Sequence, residues 1–156
     1  MTELTPAQEA KIQQAFKTCR DEIKHEYGVQ ANRLNSYITS QAFLVSGYAI
    51  SMGNMNQAWG SHFRLAFPLM LSVLGIVLSF RANPGISGVC QVIQHWHGKQ
   101  DELFRTGANL DEYSVLKHDK VRNIHDGNLL FAQSSTWIFG GAWVLMAGLA
   151  IYLHFS

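Results

Sequence analysis

The chain has 156 residues, a formal net charge of +1 and a hydrophobic fraction of 47%. Its charged side chains are segregated: 10 lie in residues 1–33, 11 lie in residues 99–126, and only Arg64 and Arg81 lie elsewhere. A water-soluble domain spreads charge over its whole surface, so this segregation excludes an ordinary globular fold and indicates a protein embedded in a bilayer. The near-neutral balance also argues against a nucleic-acid partner, which normally requires a basic surface.

Residues 1–33 are predicted to form an amphipathic cytoplasmic helix. Thr5 and Gln8 match a capping box at its start, and Gly28 is expected to end or loosen it. Apolar side chains recur every three or four residues on one face of this helix: Ile12, Phe16, Cys19, Ile23 and Tyr27. We expect the stripe to pack against another cytoplasmic helix or a second subunit. The membrane interface is the less favoured position, because the polar face is as acidic as it is basic.

The first predicted span covers about residues 34–52 and is unusually polar for a lipid-facing helix. Small and hydroxylated residues in a membrane usually mark helix–helix contacts, where close approach and interhelical hydrogen bonds favour association. A water-lined path is the alternative. The candidate pore or helix-contact residues in this span are Ser40, Gln41, Gly47, Tyr48 and Ser51.

The second predicted span covers about residues 64–80, with Pro68 in its first turn, and completes a transmembrane hairpin over residues 34–81. The uncharged turn at 53–63 connects the two spans. Residues 82–96 contain the sequence Asn-Pro-Gly followed by apolar residues at near-helical spacing. We therefore favour a kinked helix that leaves the membrane over a re-entrant loop.

Residues 82–127 are predicted to form a cytoplasmic helical collar, with a helix near 110–120 and a break at Gly127. The third predicted transmembrane helix, residues 128–156, contains no Asp, Glu, Lys or Arg. Thr136 and Gly140 extend a small-residue face that is suited to tight packing and are further candidate contact residues. The fold class expected is thus an all-α integral membrane protein with three transmembrane helices and amphipathic cytoplasmic helices.

The distribution of basic residues predicts the orientation of these spans. Residues 1–33 hold five Lys and Arg side chains and residues 81–122 hold six, whereas the turn at 53–63 holds none. The positive-inside rule then places the N-terminus and the collar in the cytoplasm and the C-terminus outside the inner (plasma) membrane.

The sequence offers no constellation that would support catalysis, a cofactor or a bound metal. Glu22, His25 and Glu26 have a spacing that di-iron bundles use, but the chain has no second Glu-x-x-His to complete such a site. No histidine lies inside a predicted span, as an axial haem ligand in the hydrocarbon would require, since His62 and His154 fall at the edges. We therefore expect a protein that is not an enzyme and has no cofactor.

One stretch of the first span resembles a known group of proteins. Arg33 and Asn35, followed by the sequences Ser-Gln-Ala-Phe-Leu at 40–44 and Gly-Tyr-Ala at 47–49, resemble the first span of small bacterial inner-membrane proteins of uncharacterised function. The similarity covers about 20 residues and does not include the Asn-Pro-Gly corner. It implies an inner-membrane protein and allows a role in membrane disruption during antiviral defence or stress.

Two functions are compatible with these features. The first is a homo-oligomeric pore or membrane-perturbing effector, gated through its collar by a protein partner or a small-molecule activator. Arg81, Asn83 and Pro84 are the candidate gate, because they lie where the span is expected to meet the collar. The alternative is a non-conducting scaffold that anchors a soluble protein to the bilayer.

Overall fold

The computed structural model describes residues 5–53, 61–106 and 119–155. They form three α-helices: α1 (Pro6–Gly53), α2 (Ser61–Arg105) and α3 (Asp119–Phe155). By length and composition, Leu65–Arg105 of α2 and Leu129–Phe155 of α3 are each suited to cross a membrane. The prediction of an all-α protein is confirmed for the described residues. That α1 also crosses the membrane stays a prediction.

The start of α1 agrees with the predicted capping box. The Thr5 backbone N–H donates to Gln8 Oε1 at 2.9 Å, and the Thr5 carbonyl accepts from the amides of Gln8 and Glu9. These bonds satisfy backbone groups that a helix terminus otherwise leaves without partners.

The helices continue through two glycines at which the sequence predicted breaks. α1 passes through Gly28 and α3 passes through Gly127, so the predicted helix end at Gly28 and the predicted break at Gly127 are wrong. A loosening of α1 at Gly28 stays a prediction. A glycine inside a helix costs only about 1 kcal/mol relative to alanine, and apolar packing close to it can offset that cost. Val29 packs against a buried cluster one residue after Gly28, and Leu129 is buried two residues after Gly127.

α2 is also longer than expected and contains two prolines. It begins at Ser61, so Pro68 lies beyond the first turn in which the sequence placed it. The helix continues through Pro84 and Gly85, in agreement with the helical interpretation of this corner. Close to this proline, which cannot donate a backbone hydrogen bond, Arg33 Nη1 donates to the Gly85 carbonyl at 2.7 Å. The predicted helix near 110–120 lies mostly outside the described residues.

The chain divides into two compact units, and each helix contributes to both. The charge-rich unit consists of Met1–Asn32 and Ser87–Phe131, and the charge-poor unit consists of Arg33–Ile86 and Ala132–Ser156. Arg33, Arg64 and Arg81 are the only Asp, Glu, Lys or Arg residues in the sequence of the charge-poor unit.

The charge-rich unit has an apolar core. The stripe predicted on α1 is buried or half-buried, and the ring of Phe16 packs edge-on against Phe104 of α2 at 5.0 Å between centroids. A second cluster joins the three helices of this unit: Val89, Cys90, Ile93 and Leu129, with Tyr27 and Val29 packed against them. The predicted packing of the stripe against another helix is therefore confirmed within the chain.

Candidate functional site

The interior of the charge-poor unit holds a hydrogen-bonded cluster, the Gln41 network, which consists of Tyr37, Gln41, Ser79 and Trp143. Gln41 is fully buried, and its Oε1 accepts from the indole Nε1 of Trp143 at 2.5 Å. Its Nε2 faces Ser79 Oγ at 3.5 Å, and the hydroxyls of Tyr37 and Ser79 lie 2.9 Å apart. α1, α2 and α3 thus meet through polar side chains at the centre of this unit.

The direction of these hydrogen bonds follows from the single proton of the Ser79 hydroxyl. Ser79 Oγ donates to the Gly75 carbonyl at 2.9 Å, so it can only accept from its other neighbours. Tyr37 Oη is therefore the donor to Ser79, and Gln41 Nε2 is a second donor at longer distance. The indole N–H, the amide and both hydroxyls all have partners, as buried polar groups require in lipid or protein.

Gly75 creates the space for the tryptophan at the centre of the network. A Cβ atom at position 75 would overlap the indole ring of Trp143, which is fully buried. Glycine is thus required here by the close approach of α2 and α3, and its small size is typical of helix interfaces in membranes.

Tyr48 and Gly47 form a second contact one to two turns further along α1. Tyr48 Oη donates to the Met146 carbonyl at 2.7 Å, and its ring packs edge-on against Trp143 at 6.1 Å. A Cβ atom at Gly47 would lie 3.6 Å from Cδ1 of Leu71, which is ordinary van der Waals contact. Both residues therefore mediate helix contacts within one chain.

Thr136 and Gly140, the candidates on α3, face α2. Thr136 is buried, and its Oγ1 lies 3.1 Å from both Asn83 Oδ1 and the Gln133 carbonyl. A Cβ atom at Gly140 would lie 3.6 Å from the Cβ of Ser79. The predicted small-residue face of α3 is therefore packed on α2.

Ser40 and Ser51 differ from the other candidates because each donates its hydroxyl to a carbonyl of its own helix. Ser40 is exposed and donates to the Ser36 carbonyl at 2.8 Å, and Ser51 is half-buried and donates to the Tyr48 carbonyl at 2.7 Å. Of the candidate gate residues, Asn83 is half-buried and bonds to Thr136, whereas Arg81 and Pro84 are exposed. The structure therefore does not gather the three gate residues into one polar site.

One strip of the exposed surface of α1 is small and polar, although Phe43 and Ile50 beside it are exposed and apolar. Opposite the Gln41 network, small and polar residues follow one another at steps of four and three, and all are exposed: Asn35, Thr39, Ala42, Ser46, Ala49 and Gly53. We call this the small face of α1. Exposed side chains on the other two helices are mostly large and apolar, such as Val73, Phe80 and Leu145. Large apolar side chains suit contact with lipid, and small polar ones suit contact with protein or water.

The charge-rich unit contains a few buried polar groups of its own. Gln30 Nε2 donates to Cys90 Sγ at 3.3 Å, and Tyr27 Oη lies 3.5 Å from His97 Nε2. Within the residues that the structure describes, no group of three or more His, Cys, Asp or Glu side chains is placed to hold a metal ion.

Three residues at the centre of the charge-poor unit were not predicted from the sequence: Gly75, Ser79 and Trp143. A buried hydrogen bond at Trp143 could have been predicted from the sequence, because an indole N–H inside an apolar span must find an acceptor. The spacing of Gly75 and Ser79 indicates a helix contact less strongly: they lie four residues apart and present small surfaces on the same side of α2. Comparison of the chain with protein families, curated proteins and solved structures finds no match.

Proposed function

We propose that this protein is a membrane-anchored homo-oligomer whose charge-poor unit lies in the bilayer and whose charge-rich unit presents a docking platform for a soluble protein. The observation that carries the proposal is that the charge-poor unit buries a hydrogen-bonded polar network among its apolar clusters while it exposes many large apolar side chains. Its centre is the hydrogen-bonded Gln41 network, whereas large apolar side chains cover much of its outside. This arrangement is stable in lipid, where buried polar groups hold helices together and apolar side chains need no shielding from the solvent.

The contacts of α1 support its insertion as a third span. Tyr37 packs against Phe139 at 5.8 Å, and Tyr48 bonds to Met146, so α1 and α3 run side by side in the same direction. α2 runs the opposite way, because Tyr37 contacts Ser79 while Gly47 faces Leu71. If α3 crosses the bilayer, residues 37–48 of α1 lie at the same depth. Three spans would put the two termini on opposite sides of the membrane, and the basic residues would then place the N-terminus in the cytoplasm.

The small face of α1 supports association between copies. The Thr, Ser, Asn and Ala residues of this row are exposed, so no other described part of the unit covers them. Small polar side chains are also not typical of a surface that faces lipid. A second copy of α1 would bury them at close range, and Ser40 and Ser46 can enter such a contact because their hydroxyls already donate to the carbonyls of Ser36 and Ala42.

A matched pair of alanine substitutions tests the association. Ala42→Leu adds a bulky side chain to the small face and should shift the protein in mild detergent from oligomer toward monomer, at least about tenfold in the dissociation constant. Ala66→Leu is the control, because Ala66 is exposed on α2, outside the small face. Multi-angle light scattering measures both. Equal oligomer sizes for the two variants would contradict the assignment of the interface.

A pore is the second candidate, and the exposed hydroxyls of α1 are the observation in its favour. A ring of α1 helices could turn Thr39 and Ser46 toward water. The scaffold is favoured because Gln41 and Tyr48, the larger polar candidates for a lining, are committed to bonds inside one chain.

Dye release from liposomes separates the two functions. A scaffold releases no more dye than protein-free vesicles at any ratio of protein to lipid. A pore releases dye, and Thr39→Val, which removes a hydroxyl at nearly constant size, should reduce that release while leaving the oligomer intact. Release from wild-type vesicles that is sensitive to this substitution would overturn the scaffold.

A further inference from the structure

Two arginines lie close together at one end of the charge-poor unit. Arg33 Nη1 of α1 donates to the Gly85 carbonyl of α2 at 2.7 Å, so its guanidinium lies against this side of α2. Arg81 lies four residues before Gly85, which places it one turn away on the same side of the helix. Both arginines are exposed. Two guanidinium groups from different helices are therefore within reach of one bound molecule.

These two arginines lack a counter-charge. The sequence of the charge-poor unit contains no Asp or Glu. Along the chain the nearest acidic residues are Glu26, seven positions before Arg33, and Asp101, twenty positions after Arg81. Within the described part of the chain neither arginine forms an ion pair, and the hydrogen bond of Arg33 uses one of its five N–H donors. The remaining donors suit an anion with several oxygen atoms, such as a phosphate group.

An exposed apolar strip of α2 leads to the arginine pair. It consists of Met70, Leu74 and Val77, which precede Arg81 at steps of four, three and four residues. Each of the three apolar side chains is at least 44% exposed. The spacing puts the strip and Arg81 on one side of the helix. A hydrocarbon chain that lies along the strip would therefore have its head group at Arg81.

The arginine pair also lies at the depth of lipid head groups if α2 spans the bilayer, a step that rests on the membrane location proposed above. Arg64 and Arg81 are 17 residues apart, and a helix of that length rises about 26 Å, close to the thickness of the hydrocarbon layer. The charged end of an arginine at either position then reaches the head groups.

We propose that Arg33 and Arg81 bind the phosphate of a phospholipid with a net negative charge, whose acyl chain lies along the strip formed by Met70, Leu74 and Val77. Phosphatidylglycerol is a suitable probe, because its phosphate is the only charged group of the molecule. In phosphatidylcholine a quaternary ammonium group balances the phosphate. Two arginines beside one phosphate therefore favour the first lipid over the second.

Native mass spectrometry of the full-length protein in detergent measures the binding of single lipid molecules, with the two lipids carrying identical acyl chains. We expect phosphatidylglycerol to bind at least about tenfold more tightly than phosphatidylcholine. Inorganic phosphate at the concentration of the lipid should not displace it, because the ion has no acyl chain to pack on the apolar strip. Displacement by inorganic phosphate would assign the arginines to a free anion and overturn the lipid site.

Matched removals of one charge locate the site. Arg81→Gln should weaken the binding of phosphatidylglycerol about fivefold, and the double variant with Arg33→Gln should weaken it about 25-fold. Arg64→Gln removes the same charge at the other end of the apolar stretch and should leave the affinity nearly unchanged. Arg81 makes no hydrogen bond or ion pair within the described residues, so its replacement should not alter the circular dichroism spectrum.

Equal affinities for the two lipids, or equal losses in Arg64→Gln and Arg81→Gln, would overturn the site. Extraction of the wild-type protein from vesicles by an alkaline wash is measured in parallel. Protein that resists the wash but does not prefer phosphatidylglycerol contradicts this site alone. Protein that the wash releases contradicts the proposed membrane location on which the site rests.

Discussion

The two units are built from the same three helices but differ in where they place polar and apolar side chains. In the charge-rich unit the core is mainly apolar, and nearly all the charged residues of the chain belong to it. In the charge-poor unit the Gln41 network lies at the centre, and among the described residues all but three of the exposed large hydrophobic side chains belong to this unit. Water drives the first arrangement by the hydrophobic effect, whereas in lipid the second is held by packing and interhelical hydrogen bonds. The proposed location of the charge-poor unit in the bilayer rests on this difference.

The largest expected effect concerns the close approach at the centre of the charge-poor unit. Gly75→Ala places a methyl group on the buried ring of Trp143 and should lower the free energy of unfolding in detergent by about 3 kcal/mol. Denaturant titration followed by circular dichroism measures the change. Gly148→Ala is the control, because a Cβ atom there contacts nothing. Unfolding midpoints that coincide in the two variants would show that α2 and α3 do not approach so closely at this point.

The second prediction tests the polar centre itself. Gln41→Leu removes the acceptor of the Trp143 indole N–H and should cost about 2 kcal/mol of unfolding free energy, because the buried donor is left without a partner. Trp143→Phe in the same chain removes that donor, so the double variant should lose less than the sum of the two single changes. Additive losses would mean that the two side chains are not coupled.

The smallest expected change in the free energy of unfolding is for Gln30, the buried glutamine of the charge-rich unit that bonds to Cys90. Gln30 is also buried, but its Nε2 donates to the weak acceptor Cys90 Sγ at 3.3 Å, and its surroundings are apolar. Gln30→Leu should therefore change the free energy of unfolding by no more than about 0.5 kcal/mol, measured as for Gln41→Leu. If Gln30→Leu lowered the free energy of unfolding as much as Gln41→Leu, the buried hydrogen bonds of the two units would contribute equally to stability, contrary to this account.

The sequence predicted periodic features well. The apolar stripe that contains Phe16 and Ile23, and the polar side of α1 that contains Gln41 and Tyr48, follow from helical spacing, and the structure buries both. The predicted helix end at Gly28 and the predicted break at Gly127 were wrong because a local preference of about 1 kcal/mol is smaller than the packing around it.

Contacts between distant segments could not be predicted in the same way. Gly75 and Trp143 are 68 residues apart, and their overlap depends on the rotation of α2 against α3, which periodicity alone does not fix. The same limit applies to the partner of Gln41, since a polar residue in a span can face a neighbouring helix, another copy or water.

The position of the two termini tests the central claim, that all three helices cross the bilayer, most directly. Single cysteines are introduced in place of Thr5 and of Phe155, both exposed, and sealed membrane vesicles are treated with a maleimide that cannot cross lipid. The native Cys19 and Cys90 are buried, so the unmodified chain serves as the unlabelled control. We expect the two positions to be labelled from opposite sides of the membrane. Labelling of both from the same side would mean that α1 does not cross.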